Sequence, residues 1–173
     1  MSQLLDSALA AGGPRVSPVD EAGSRVLVLG IGNVLMGDEG VGVHVLRQLE
    51  RETPLKGVRL LDGGTGGVNL LGEFAGSAAV ILIDATRDGS PAGTLRHRRI
   101  DRVVDLPQGL GAHDFGLKDL FAAAALVGRL PDVHLCTIAV ETVKPMCMEL
   151  SPAVAASVME TVRSVRQLAE QLA

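Results

Sequence analysis

The stretch that decides the fold is RVLVLGIGNVLMGDEG, at residues 25–40. It begins with a continuous apolar run that ends in glycines, a pattern typical of a strand buried on both faces. After the glycines, apolar residues recur at the spacing of one helix face, at Val41, Val45, Leu46 and Leu49. Asp38 and Glu39 therefore lie at the mouth of a strand-loop-helix unit, where open α/β sheets place their chemistry.

The glycine-rich loop does not match the known phosphate-binding motifs. The dinucleotide fingerprint needs a third glycine where this chain has Leu35, after Gly30 and Gly32. The P-loop needs Lys and Ser or Thr at the positions that Asp38 and Glu39 occupy. Two carboxylates would repel a polyphosphate, so a nucleotide-binding module is disfavoured and no organic cofactor is expected. Carboxylates at this mouth suit a metal or an acid–base role.

Composition restricts the class of protein. The chain has 173 residues, 47% of them apolar and only 2% aromatic, with no Trp or Tyr. A core of Val, Leu, Ile and Ala suits a parallel-rich sheet flanked by helices. The net charge of −4 gives no electrostatic reason to bind nucleic acid. The basic cluster at 96–99 is interpreted as a solvated segment, with a docking patch for an acidic partner as the alternative.

The cysteines and the hydropathy of the chain indicate in which cellular compartment the protein is expected. Cys136 and Cys147 cannot form a disulfide framework, and no apolar run approaches the ~18 residues that a membrane span needs. The first residues lack the basic region of a secretory signal. We therefore expect a cytoplasmic protein without membrane contact, a monomer by default. Residues 1–24 are predicted to be a poorly ordered lead-in to a single domain at 25–173.

Strand-like and helix-like patterns alternate along the rest of the chain. Strands are predicted at 58–61, 78–83, 94–100 and 133–140, and helices at 68–75, 115–128 and 152–172. The 78–83 strand is uniformly apolar and therefore central, whereas the mostly polar 94–100 segment suits an edge. Ser151 is predicted to cap the last helix, with Pro152 at its first position. The alternation predicts a three-layer α/β/α fold with a twisted, mostly parallel sheet that is mixed at an edge.

Three ionisable residues stand where strands end or loops open helices, namely Glu39, Asp84 and His113. Asp84 follows the central strand, so it either lies at the active edge of the sheet or caps the next loop. In isolation, Glu39 is more simply a first-turn glutamate favoured by the helix dipole, and His113 a loop histidine. Together, however, these three side chains can hold a divalent transition metal with coordination positions left open.

Weaker candidates remain. His44 is predicted on the outer side of the first helix, His97 in the basic segment and His134 at a strand start. Asp62 and Thr65 border a second glycine loop, where a turn role is about as plausible as a site role. Nucleophilic mechanisms lack their parts, because no serine lies in G-x-S-x-G and neither cysteine has a nearby histidine at a loop mouth. No H-E-x-x-H occurs, so a self-sufficient zinc protease is disfavoured.

Four blocks of sequence occur in a fixed order, at residues 30–42, 62–66, 81–85 and 111–116. The first reads GIGNVLMGDEGVG, and the others read DGGTG, ILIDA and GAHDFG. Together they resemble the signature of the [NiFe]-hydrogenase maturation endopeptidases, over roughly residues 25–165. This resemblance implies a twisted sheet between helix layers, in agreement with the fold predicted above.

The resemblance also implies an activity. Proteins of this family remove a C-terminal extension from the hydrogenase large subunit once nickel has been inserted. Their metal-contacting acids and histidine correspond here to Glu39, Asp84 and His113. The partner would be the nickel-loaded large-subunit precursor, and the nickel would be supplied by that substrate.

The resemblance leaves open the roles of the two adjacent acids and the choice between two functions. Our hypothesis is that Glu39 is the metal ligand, while Asp38 is structural or makes hydrogen bonds to the ligands without contacting the metal. A non-catalytic nickel-binding chaperone or sensor would use the same three ligands, so the motif does not separate it from the endopeptidase.

Overall fold

The computed structural model describes residues 25–107, 109–110, 114–128 and 130–173. Its strands are β1 (Val26–Ile31), β2 (Val58–Gly64), β3 (Ala79–Thr86), β4 (Leu95–Ile100) and β5 (Asp132–Ala139). Its α-helices are α1 (Val41–Leu49), α2 (Leu71–Gly76), α3 (Asp114–Leu126) and α4 (Pro152–Leu172). The predicted lead-in at residues 1–24 lies outside the described residues, so the predicted division of the chain stays a prediction.

The described strands form one sheet in the order β2-β1-β3-β5-β4. The pairs β1–β2, β1–β3 and β3–β5 are parallel, while β4 pairs with β5 in the antiparallel direction. The mostly parallel sheet with a mixed edge is therefore confirmed. The uniformly apolar strand is central, as predicted, because every residue of β3 is buried.

Helices cover both faces of the sheet and create two hydrophobic cores. On one face, α1 and α4 bury Val45, Leu46 and Val162 against the strands. On the other face, α2 and α3 bury Phe74 and Phe121, whose ring centroids are 5.1 Å apart. The three-layer α/β/α architecture follows from this division, because each helix has one apolar face to bury.

Glycine at position 42 lets α1 lie directly on the sheet. A Cβ atom at Gly42 would collide with the carbonyl oxygens of Ile31, the last residue of β1, and Ile83, near the end of the neighbouring β3. The first turn of α1 therefore contacts the backbone of β1 and β3 with no side chain between them. This contact fixes the loop before α1, which carries Asp38 and Glu39, relative to the carboxyl edge of the sheet.

Two predicted boundaries need correction. The strand predicted to end before Asp84 continues to Thr86, because pairing with β5 runs on through Asp84–Thr137 to Thr86–Ala139. The helix predicted from 68 starts as a 3-10 turn at Gly67–Leu70, which buries Leu70 and leaves Val68 half exposed. The tighter three-residue period of that turn moves Val68 off the predicted inner face.

The start of α4 also differs from the prediction in one respect. Pro152 is the first helical residue, as predicted, but the Ser151 side chain makes no capping hydrogen bond. Instead, the backbone N–H of Ser151 donates to a carboxylate oxygen of Asp38. In the described part of the chain, no helix is long and apolar enough to cross a bilayer.

Candidate active site

The loop between β1 and α1 turns sharply so that two acids enter the molecule. Gly32 has a φ of +137°, and a Cβ there would collide with the carbonyl oxygen of Glu39, so only glycine fits. A 3-10 turn at Gly37–Gly40 then leads into α1. Both acids on this turn are buried, with 5% of Asp38 and 3% of Glu39 exposed. Such burial is rare for carboxylates, so this turn is a candidate for the functional site.

Asp38 connects the loop to the last helix. Its Oδ1 atom accepts a hydrogen bond from the backbone N–H of Ser151, with a donor–acceptor distance of 2.6 Å. A carboxylate acceptor of this kind satisfies one of the backbone N–H groups that have no hydrogen-bond partner within the helix at its N-terminus. The contact agrees with a structural role for Asp38, although the division of roles between Asp38 and Glu39 stays a prediction.

Asp84 lies on the neighbouring strand and is fully buried. Its Oδ1 atom accepts the backbone N–H of Ala85 at 2.8 Å. The residue before it, Ile83, touches Gly42 in the first turn of α1, three residues after Glu39. Glu39 and Asp84 thus belong to two backbone segments that meet at the carboxyl edge of β1 and β3, where parallel sheets bind ligands.

The third predicted ligand, His113, lies outside the described residues. The described chain on its N-terminal side runs along the same edge of the sheet. Leu110 pairs with Thr86, and the Arg87 N–H donates to the Gly109 carbonyl at 2.7 Å. Among the side chains that the structure describes, no group of three could hold a metal ion. The predicted ligand set of Glu39, Asp84 and His113 therefore stays a prediction.

His44 does not point outward as predicted. Its half-buried ring donates a hydrogen bond to the backbone carbonyl of Met148, in the loop that precedes α4. Burial lowers the pKa of His44, the nearby Arg47 lowers it further, and the bond to Met148 opposes both. At neutral pH the ring is thus a neutral contact between α1 and this loop.

The other weak candidates make structural contacts. His97 and His134 stack at 5.1 Å between ring centroids, and their ring nitrogens approach to 2.9 Å. Burial, and then the charge of His134, lower the pKa of His97. In the basic segment, Arg96 pairs with Asp88 and Arg99 with Asp132. This segment therefore lies on the edge strand with part of its charge neutralised.

The contacts of the second glycine loop, at residues 62–67, are those of a structural turn. The Oδ1 atom of Asp62 accepts the N–H of Gly64 at 3.0 Å, while its Oδ2 atom faces Arg47 at 3.8 Å. Thr65 is exposed. Such a side-chain bond to the backbone two residues on is the usual role of aspartate in turns.

One neighbour of the site, the loop at residues 141–150, was not predicted from the sequence. Met36 and Cys147 form a parallel bridge between this loop and the loop after β1. The N–H of Gly37 donates to the Cys147 carbonyl at 2.7 Å, and the Cys147 N–H donates to the Leu35 carbonyl at 3.2 Å. Backbone pairing between two distant loops leaves no local pattern from which it could have been predicted.

Comparison with known proteins agrees with this architecture. The family model described as "HycI: Hydrogenase maturation protease" matches residues 43–168. The "Hydrogenase 2 maturation protease" of Escherichia coli is 34% identical over 146 residues, which cover 82% of this chain and 88% of that protein. The "Hydrogenase expression/formation protein HupD" of Thiocapsa roseopersicina is 38% identical over 126 residues, or 69% of this chain.

The matched region spans only about half of some longer relatives. It covers 55% of the Thiocapsa roseopersicina protein and 52% of the HupD protein of Rhodobacter capsulatus, to which it is 46% identical. Among solved structures, the hydrogenase maturating endopeptidase HybD of Escherichia coli superposes with a TM-score of 0.78 at 30% identity. That superposition covers 85% of this chain and 93% of HybD.

The resemblance expected from the four sequence blocks is therefore confirmed. The family model matches more than half of the chain, and the Escherichia coli protease matches it over most of both proteins. This chain belongs to the hydrogenase maturation protease family.

Proposed function

We propose that this chain is an endopeptidase that removes the C-terminal extension of a [NiFe]-hydrogenase large-subunit precursor after nickel insertion. The observation that supports it best is the placement of the two acids. Glu39 and Asp84 are both buried, and each belongs to a backbone segment at the carboxyl edge of one of two paired strands, β1 and β3. Each also belongs to a sequence block that resembles the family signature.

In this proposal Glu39, Asp84 and His113 contact nickel that the substrate carries. Carboxylate and imidazole ligands are harder than the thiolates that hold the nickel in the precursor, so they can complete its coordination without removing it. Only a nickel-loaded precursor then offers this binding energy, and the enzyme distinguishes loaded from empty precursor by affinity. The held ion or the adjacent carboxylates would polarise the scissile carbonyl or activate the attacking water.

The proposed setting is the cytoplasm, with the chain acting as a monomer. Two free cysteines are described, one buried and one half-buried. Free thiols suit a reducing compartment.

The test is a cleavage assay with purified precursor, prepared with and without nickel, and product masses measured by mass spectrometry. We expect a single shortened product from the loaded precursor only. Glu39→Gln, Asp84→Asn and His113→Ala should each slow cleavage at least about 100-fold. Glu73→Gln, Asp88→Asn and His97→Ala are matched controls outside the site, and they should keep wild-type rates.

Two outcomes would contradict the proposal. Binding of the loaded precursor without any change in its mass would favour the nickel-binding chaperone or sensor. Equal cleavage of loaded and empty precursor would refute recognition of nickel. Circular dichroism of each variant separates loss of activity from loss of fold.

A further inference from the structure

Three exposed apolar side chains lie beside the loop that carries the acids. Leu35 is 50% exposed, Met146 91% and Met148 58%. Leu35 and Met146 directly precede Met36 and Cys147, the two residues that the bridge joins, and Met148 follows on the same segment. We call Leu35, Met146 and Met148 the methionine patch. Flexible thioether side chains adapt to varied partner shapes, and methionine is common on surfaces that bind peptides.

The backbone at Met146 is strained. Its φ is +58°, and no other non-glycine residue in the described part of the chain has a positive φ. For a bulky side chain, this left-handed conformation has a cost in free energy. Folding does not recover that cost by burying the side chain, because the methionine points into solvent. Strain that presents an apolar group to water indicates a functional contact rather than a packing one.

The patch is held firmly to the candidate site. Backbone hydrogen bonds join the two segments from Gly37 to Cys147, from Cys147 to Leu35 and from Lys144 to Met36. The His44 ring bonds to the Met148 carbonyl. These bonds fix the methionines relative to the turn that carries Glu39.

We propose that the methionine patch is the docking surface for an apolar, extended segment of the large-subunit precursor. The proposal rests on the proposed function, because the patch is continuous with the loop that carries Asp38 and Glu39. Leu35 lies on the same loop as Glu39, and the methionine segment is bonded to that loop, so a polypeptide that brings its metal to Glu39 can extend over Leu35 and the methionines. The exposed Leu126 offers a contrast, because it ends α3 at the opposite edge of the sheet.

The experiment replaces the patch without altering the acids. In the double variant, Met146→Asn keeps a residue that tolerates positive φ, and Met148→Gln keeps the side-chain length. We expect the KM for nickel-loaded precursor, and its dissociation constant by biolayer interferometry, to rise about tenfold. The kcat should stay within about twofold, because the acids are unchanged. Leu126→Gln and Met159→Gln are matched controls that should change neither constant.

The outcomes separate this inference from the proposed function. Wild-type cleavage with an unchanged KM and dissociation constant in the double variant would overturn the patch alone. Precursor that binds the wild type but not the double variant supports the patch even if nothing is cleaved. A wild type that neither binds nor cleaves the precursor overturns both proposals. A wild-type dimer that the double variant turns into a monomer would show a second copy on the patch, which also overturns it.

Discussion

At the scale of single residues, Asp38 and Glu39 are adjacent and similarly buried, and for Asp38 a specific structural contact is evident. The Asp38 carboxylate binds the first turn of α4 through Ser151. Removal of a buried charged acceptor leaves a donor unsatisfied and costs more than the bond itself contributes. Asp38 therefore supports the loop that positions its neighbour.

We predict that Asp38→Ala lowers the free energy of unfolding by about 1–3 kcal/mol, while Asp38→Asn costs less. The asparagine retains an oxygen that can accept the Ser151 N–H, whereas alanine does not. Urea denaturation measures both values. In the precursor assay, Asp38→Asn should stay active and Glu39→Gln should not. An inactive Asp38→Asn together with an active Glu39→Gln would reverse the assignment of roles.

At the scale of elements, the contact between α1 and the sheet depends on a glycine. We predict that Gly42→Ala lowers the free energy of unfolding by about 3 kcal/mol or more, because its Cβ would collide with backbone oxygens of Ile31 and Ile83. Rigid backbone, unlike a side chain, does not move aside cheaply. Urea denaturation measures the change.

A matched control for this substitution lies in α2. No atom lies within 4 Å of a Cβ added at Gly72, which is exposed and helical. Gly72→Ala should therefore raise the free energy of unfolding by up to about 1 kcal/mol. Equal effects at the two positions would mean that α1 does not pack on the sheet as described.

The sequence predicted those elements whose signal is local. The apolar run into Gly30 and the periodic residues of α1 identified both elements, and the polar 94–100 segment identified an edge strand. The position of Asp84 inside β3 was missed, because its cause is pairing with β5, more than fifty residues away. Ser151 is the N-cap residue of α4 as predicted, but its side chain makes no capping bond, and the contact of its N–H with Asp38, 113 residues away, was not predicted. Long-range contacts of this kind cannot be predicted from the residues of a short sequence segment.

The candidate site likewise has parts that the sequence predicted and parts that it did not. Glu39 and Asp84 were predicted from their place near the ends of apolar strands and from the family resemblance, and their role as ligands stays a prediction. The methionine patch was not identified, because a solvent-exposed Met in a left-handed conformation looks like any loop residue in sequence. His113 was singled out by the resemblance, and its place in the site stays a prediction.

At the scale of the whole molecule, two histidines make stability depend on pH. Burial, mainly, lowers the pKa of both His44 and His97 in the folded state. Unfolding returns both rings to an ordinary pKa near 6.5, so the unfolded chain binds more protons. Their contribution to stability is present above pH 6.5, and it is lost as the pH falls through 6.5 towards the lowered pKa values.

We therefore predict a free energy of unfolding that decreases between pH 7.5 and pH 5.5, measured by urea denaturation at each pH. In the double variant His44→Gln and His97→Gln the slope over this range should be shallower, because those two protons are no longer taken up. A slope equal to that of the wild type would assign the pH dependence to other groups.

The bond between Asp38 and Ser151 joins positions 113 residues apart along the chain. During synthesis, the N-terminal half can emerge from the ribosome with both acids already made, while the residue that anchors one of them has yet to be translated. The turn that carries Glu39 thus reaches its final support only when the last helix begins to emerge. A nascent or C-terminally truncated chain would hold these acids without that anchor.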